Sequence, residues 1–116
     1  MRIKIRTQDM SLTRGMEQLV YTRIHSALGR LSRRVNEVIL SFEDVNGPRG
    51  GEDIHCRIRL FVQPRGEVYV SAIAATPGAA LSKAVQRAER RLNSRIQRHR
   101  TRRRWSREPS SQITAI

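Results

Sequence analysis

The apolar residues of this chain recur at two periods in a set succession, and that succession leaves few architectures open. Ile3 and Ile5 alternate with Arg2, Lys4 and Arg6, the period of a short strand. From Met16 the spacing changes to three and four. Met16, Leu19, Val20, Ile24, Ala27, Leu28 and Leu31 form one helical stripe that stops near Arg33 and Arg34. Thr13 is placed to cap this helix, and Glu17 sets a carboxylate in its first turns, where the helix dipole favours one. Period two then returns three times: Val38, Leu40 and Phe42; Ile54, Cys56, Ile58, Leu60 and Val62; Val68, Val70, Ala72 and Ala74. Two turn-forming runs, Asn46 to Gly51 and Gln63 to Gly66, separate these strands. Thr76 and Pro77 open a second helix with a capping hydroxyl followed by proline at the first helical position. Its inward side chains are Leu81, Ala84, Val85, Ala88, Leu92 and Ile96, and its expected end is about His99.

The order predicts an α+β domain, β-α-β-β-β-α, with two helices packed on one face of a four-stranded sheet. A strand-helix-strand start requires a crossover, and every strand offers one clearly apolar side for both helices to cover. The chain has 116 residues, which suits one domain. Residues 1–99 are expected to form it and residues 100–116 to be a basic, disordered tail.

Charge narrows the function. Lysine and arginine number 23 against 10 acids, a net charge of +13, which favours a polyanionic partner. Only Lys4 and Lys83 are lysines. Arginine's planar fork grips phosphate through two donors and stacks on bases, which suits structured RNA. The charge is also unevenly spread. Residues 36–67 carry net −2, whereas residues 77–104 hold ten bases and one acid, Glu89. At about 100° per residue, Lys83, Arg87, Arg90, Arg91, Arg95 and Arg98 share one sector of the second helix, beside its apolar stripe. Arg23, Arg30, Arg33 and Arg34 can extend the surface from the first helix, so the two helices are expected to form one cationic wall for RNA backbone.

Other chemistry finds little support. His25, His55 and His99 with the lone Cys56 give no metal-ligand spacing. Cys56 lies on an inner strand face and reads as a small buried hydrophobe; a single cysteine also suits a reducing compartment. The loop Gly47 to Gly51 lacks the Lys-Ser/Thr of a phosphate-cradling loop and precedes a strand. Asp44, Asn46 and Asp53 are expected to accept hydrogen bonds from loop amides. Trp105 can stack on a base or pack on the domain. No triad or acid/base pair assembles, so neither enzyme activity nor a cofactor or small-molecule substrate is expected. Met1 to Arg6 lacks the apolar run of a signal peptide, and Val68 to Ala75 falls far short of a membrane span. A cytoplasmic location, with no membrane partner, is expected.

With these elements in place, the chain resembles the ribosome hibernation-promoting factor family, which includes the ribosome-associated inhibitor proteins, over roughly residues 1–99. The resemblance rests on the β-α-β-β-β-α order, on Val68 to Ala74 leading into an Ala-rich basic helix, and on the run Asp44 to Cys56, similar to a hairpin in a subset of small members. It implies binding to the small (30S) ribosomal subunit and its 16S rRNA, in the channel used by mRNA and tRNA, with translation blocked under stress. It carries the RNA contacts to Arg23, Arg30, Lys83, Arg87, Arg90, Arg91 and Arg95. The chain departs from the family at Gly78-Ala79, where members often have a tyrosine, and the long-form dimerising domain is not expected. The competing reading is a module for double-stranded or structured RNA. That module opens its last helix with a lysine cluster, where Pro77 to Lys83 holds one lysine. A permanent ribosomal protein is a third reading. Apolar Ile39, Phe61, Tyr69 and Ile73 on the outer sheet face leave open an accessory subunit or a homodimer through that face.

Overall fold

A computed structural model describes residues 1–45 and 53–107, with side chains as far as Arg98. The order is β1 (Arg2–Gln8), α1 (Arg14–Leu28), a 3-10 turn (Gly29–Arg34), β2 (Val35–Asp44), β3 (Ile54–Val62), β4 (Glu67–Ala74) and α2 (Pro77–Arg107). The sheet runs β1-β2-β3-β4. β1 lies parallel to β2, as a crossover through α1 demands, and the other pairs are antiparallel. The expected α+β class and element order are the observed ones.

Both helices start as their sequences dictate. The Thr13 hydroxyl accepts from the Met16 amide at 3.1 Å, and the Thr76 hydroxyl from the Ala79 amide at 3.2 Å. Each cap satisfies one of the amides a helix start leaves without a partner. Val20, Ile24 and Leu28 of α1 are buried together with Ala80, Leu81, Ala84, Val85, Ala88, Leu92 and Ile96 of α2 against the inner side chains of β2, β3 and β4. Ile3 and Ile5 of β1 pack on the margin of this core. The alternation in the strands therefore selects the buried face, as period two requires.

Two boundaries differ from the sequence reading. α1 closes at Leu28, and the last turn expected of it is the 3-10 segment Gly29–Arg34. Gly29 stands where the helix ends, and only Leu31 packs on the core margin before the buried Val35, so the tighter turn delivers the chain straight into β2. α2 does not end at His99. It continues to Arg107, so the part of the expected tail from Arg100 to Arg107 is helical. The apolar stripe stops at Ile96, but the residues beyond it contain no glycine or proline before Pro109. Arginine is a good helix former, and local propensity alone carries the helix on. The Asn46 to Gly51 turn and residues 108–116 lie outside the described residues.

Candidate nucleic-acid interface

The cations divide between two clefts and the open surface of α2. Arg87, Arg90 and Arg91 line a cleft of about 490 Å³ with Tyr69, Val70 and Ser71 of β4. The Arg87 guanidinium donates to the Ser71 carbonyl, tying α2 to the free edge of the sheet. Arg95 and Arg98 line a second cleft of about 430 Å³ with Arg34 and Arg65. Here the Arg95 guanidinium donates to the Arg65 carbonyl at 3.2 Å. It occupies space left by Gly66, whose φ of 124° and missing side chain suit each other: a Cβ there would sit 1.7 Å from an Arg95 nitrogen.

Arg23 is exposed on α1, and Lys83 is exposed on α2; neither lines either cleft. Arg30 follows α1 and approaches Glu89 of α2 at 3.9 Å, a loose and exposed ion pair. Glu89 lies roughly 120° or more round the helix from Arg91 and Arg95, although it shares a shallow hollow with Arg90. Arg34 thus joins Arg95 and Arg98 of α2 in one cleft, as expected, while Arg30 does not. Arg30 meets α2 across the acidic position, while the arginine sector of α2 turns toward β4 and its turn. Among the described residues, none of Lys83, Arg87, Arg90, Arg91, Arg95 and Arg98 makes an ion pair with a carboxylate.

Two contributors lie outside the sequence reading. Arg65 has no role in that reading, and Tyr69, 46% exposed, lines the Arg87 cleft as well as the outer sheet face. A distance argument finds Arg65. β4 spans eight residues, about 26 Å of strand at ~3.3 Å each. A helix returning antiparallel at ~1.5 Å per residue covers that in roughly 18 residues, which from Pro77 reaches Arg95, above the turn at Arg65.

The outer sheet face carries more charge than its apolar residues suggested. Lys4–Glu37 at 3.5 Å, Arg57–Glu43 at 3.5 Å and Arg59–Glu67 at 2.7 Å cross it between Ile39, Phe61, Tyr69 and Ile73. Cys56 is fully buried, and burial pushes its thiol up to about 12 from 9.0. The folded protein therefore holds the neutral thiol, while the unfolded chain ionises it above about pH 9. This contribution to stability is complete below pH 9 and is lost as pH rises toward 12, at ~1.4 kcal/mol per unit. Denaturant titrations at pH 8, 10 and 11 should show a decline that a Cys56→Ala variant lacks. An identical decline in both proteins would refute the assignment. Among the described residues, no cluster of three His, Cys, Asp or Glu side chains forms a metal site, and no helix is long and apolar enough to cross a membrane.

Known proteins agree with this architecture. A ribosomal subunit interface protein from Coxiella burnetii superposes with a TM-score of 0.71 at 10% identity, covering 83% of this chain and 98% of that one. The N-terminal domain of Protein Y from Thermus thermophilus superposes with a TM-score of 0.63 at 20% identity, covering 77% and 92%. No curated protein matches the sequence. The sequence profile of one family, described as Sigma 54 modulation protein / S30EA ribosomal protein, matches residues 3–104, nearly the whole chain. With that match over most of its length, the chain belongs to the Sigma 54 modulation protein / S30EA ribosomal protein family.

Proposed function

We propose that this protein binds the small ribosomal subunit through its 16S rRNA, in the channel of mRNA and tRNA, and blocks translation under stress. Family membership makes it a non-enzymatic, ribosome-associated factor. The name of the Coxiella burnetii protein, a ribosomal subunit interface protein, agrees with a place between the subunits. The observation that carries the reading is the cationic sector of α2, six described side chains without a carboxylate partner. Self-repulsion along such a helix is relieved by phosphate, and a rigid helix presents the guanidinium groups at the spacing of successive turns. Arg90, Arg91, Arg98 and Lys83 make the open part of the interface, and Arg87 and Arg95 retain donors beyond those given to the backbone. Arg23 of α1 and Arg30 of the 3-10 turn add a secondary contact. The setting is cytoplasmic, where ribosomes are.

Sedimentation tests this directly. Purified protein should travel with isolated small subunits and depress translation in vitro in proportion to the fraction of subunits occupied. Protein that stays at the top of the gradient at low salt would reject the reading.

A further inference from the structure

We infer that the cleft between the 3-10 turn, the β3–β4 turn and the Arg95–Arg98 stretch of α2 is an oxyanion site that takes a phosphate group in the grip of Arg34, Arg65, Arg95 and Arg98. The site goes beyond ribosome binding and does not depend on it. Four arginines from three separated segments line this one cleft of about 430 Å³, and none of its lining residues is acidic.

The fold holds these groups in place. The Gln63 amide donates to the Arg34 carbonyl at 2.8 Å, joining the 3-10 turn to the β3–β4 turn. The Gln63 side-chain amide donates to the side-chain oxygen of Asn36, at the start of β2, at 2.5 Å, a further tie holding the β3–β4 turn beside the chain that follows the 3-10 turn. Arg95, half-buried, is anchored on the Arg65 carbonyl over the bare backbone of Gly66. Ordinary surface arginines are spaced by repulsion or paired with carboxylates. Here four line one cleft, and only one of the many guanidinium N–H donors they carry has a described acceptor, at Arg65. A planar carboxylate offers too few acceptor positions to satisfy several forks, whereas a tetrahedral phosphate presents oxygens in several directions at once. The phosphate can come from an RNA backbone or from a small polyphosphate, and the two share the same recognition chemistry.

Titration calorimetry on the full chain at ~150 mM salt separates these sources, using inorganic tripolyphosphate and an oligoribonucleotide, pentauridylate without terminal phosphates. We expect R34Q/R65Q to weaken binding of whichever probe the wild type takes by about ten-fold or more. R6Q/R14Q removes the same charge from the far side of the domain and should stay within about two-fold. R34K/R65K keeps the charge but loses the fork, and should fall between the two. Tripolyphosphate should raise the melting temperature of the wild type and leave that of R34Q/R65Q unmoved; circular dichroism of the variants establishes that they are folded. Binding of tripolyphosphate alone assigns the cleft to small phosphorylated ligands, and binding of pentauridylate alone to RNA backbone. Mutual competition assigns both to one site. The inference is overturned if the wild type binds neither probe, or if R6Q/R14Q loses as much as R34Q/R65Q. Sedimentation of the same variants with small subunits, run in parallel, tells failure of this site from failure of the ribosome reading, because either can fail alone.

Discussion

Replacing Arg87, Arg91 and Arg95 together by alanine is expected to weaken binding to the small ribosomal subunit by about two orders of magnitude or more, with the domain still folded. Hydrogen bonds to charged groups are worth about 1.5–3 kcal/mol each, so three lost phosphate contacts exceed the ~2.7 kcal/mol that a hundred-fold change represents. The same variant carries a second signature. Each phosphate contact contributes about −0.9 to the slope of log affinity against log salt, so removing three should flatten that slope by roughly 3. A structural defect would lower affinity without flattening the slope in this way. Local cost to the fold is small because Arg87 and Arg91 are exposed and Arg95 only half-buried. The bonds to the Ser71 and Arg65 carbonyls are lost where water can replace them. Melting curves set beside sedimentation at several salt concentrations decide the matter. If the variant sediments like the wild type at every salt, the arginine sector is not the interface.

The largest effect on stability is expected at Phe42. Its ring is fully buried on β2, beside Cys56 across the strand pair, and Phe42 is the largest of the fully buried side chains. Phe42→Ala removes its apolar surface from the core and leaves a void that rigid neighbours from two layers cannot fill, at a cost of about 3–5 kcal/mol. For a domain of this size that is a large share of the ~5–15 kcal/mol that holds it folded, and the midpoint of thermal unfolding should fall by more than about 12 °C. A drop below about 5 °C would mean that the helices settle into the void, and the core would have to be regarded as plastic at its centre.

These two predictions rest on parts of the protein that differ in how legible they were. Phe42 was readable from period two alone, because an alternating strand has one buried side and that side is set by its neighbours Val38 and Leu40. The interface was readable as composition and only partly as geometry. The helical sector of Lys83 to Arg98 follows from 3.6 residues per turn, and the structure places those residues on one helix as expected. Arg30 and Arg34 could not be sorted in the same way, since one residue more or less in the turn after Leu28 redirects both. The end of α2 was misjudged because the apolar stripe reports where a helix packs, and a helix can outlast its packing.

By itself the sequence determined the element order, the caps at Thr13 and Thr76, the buried face of each strand and the excess of positive charge on the last helix. All of these are local: they depend on periods, capping hydroxyls and composition within a few turns of chain. Only the tertiary structure decided that Arg34, Arg65 and Arg95, remote from one another along the chain, share a cleft, and that Glu89 stands between Arg30 and the arginine sector. Those facts depend on how far β4 runs before the chain turns back, and on which side of α2 the sheet lies. The apolar pattern constrains both through packing, but it names no partner for a charged side chain that packing leaves in water.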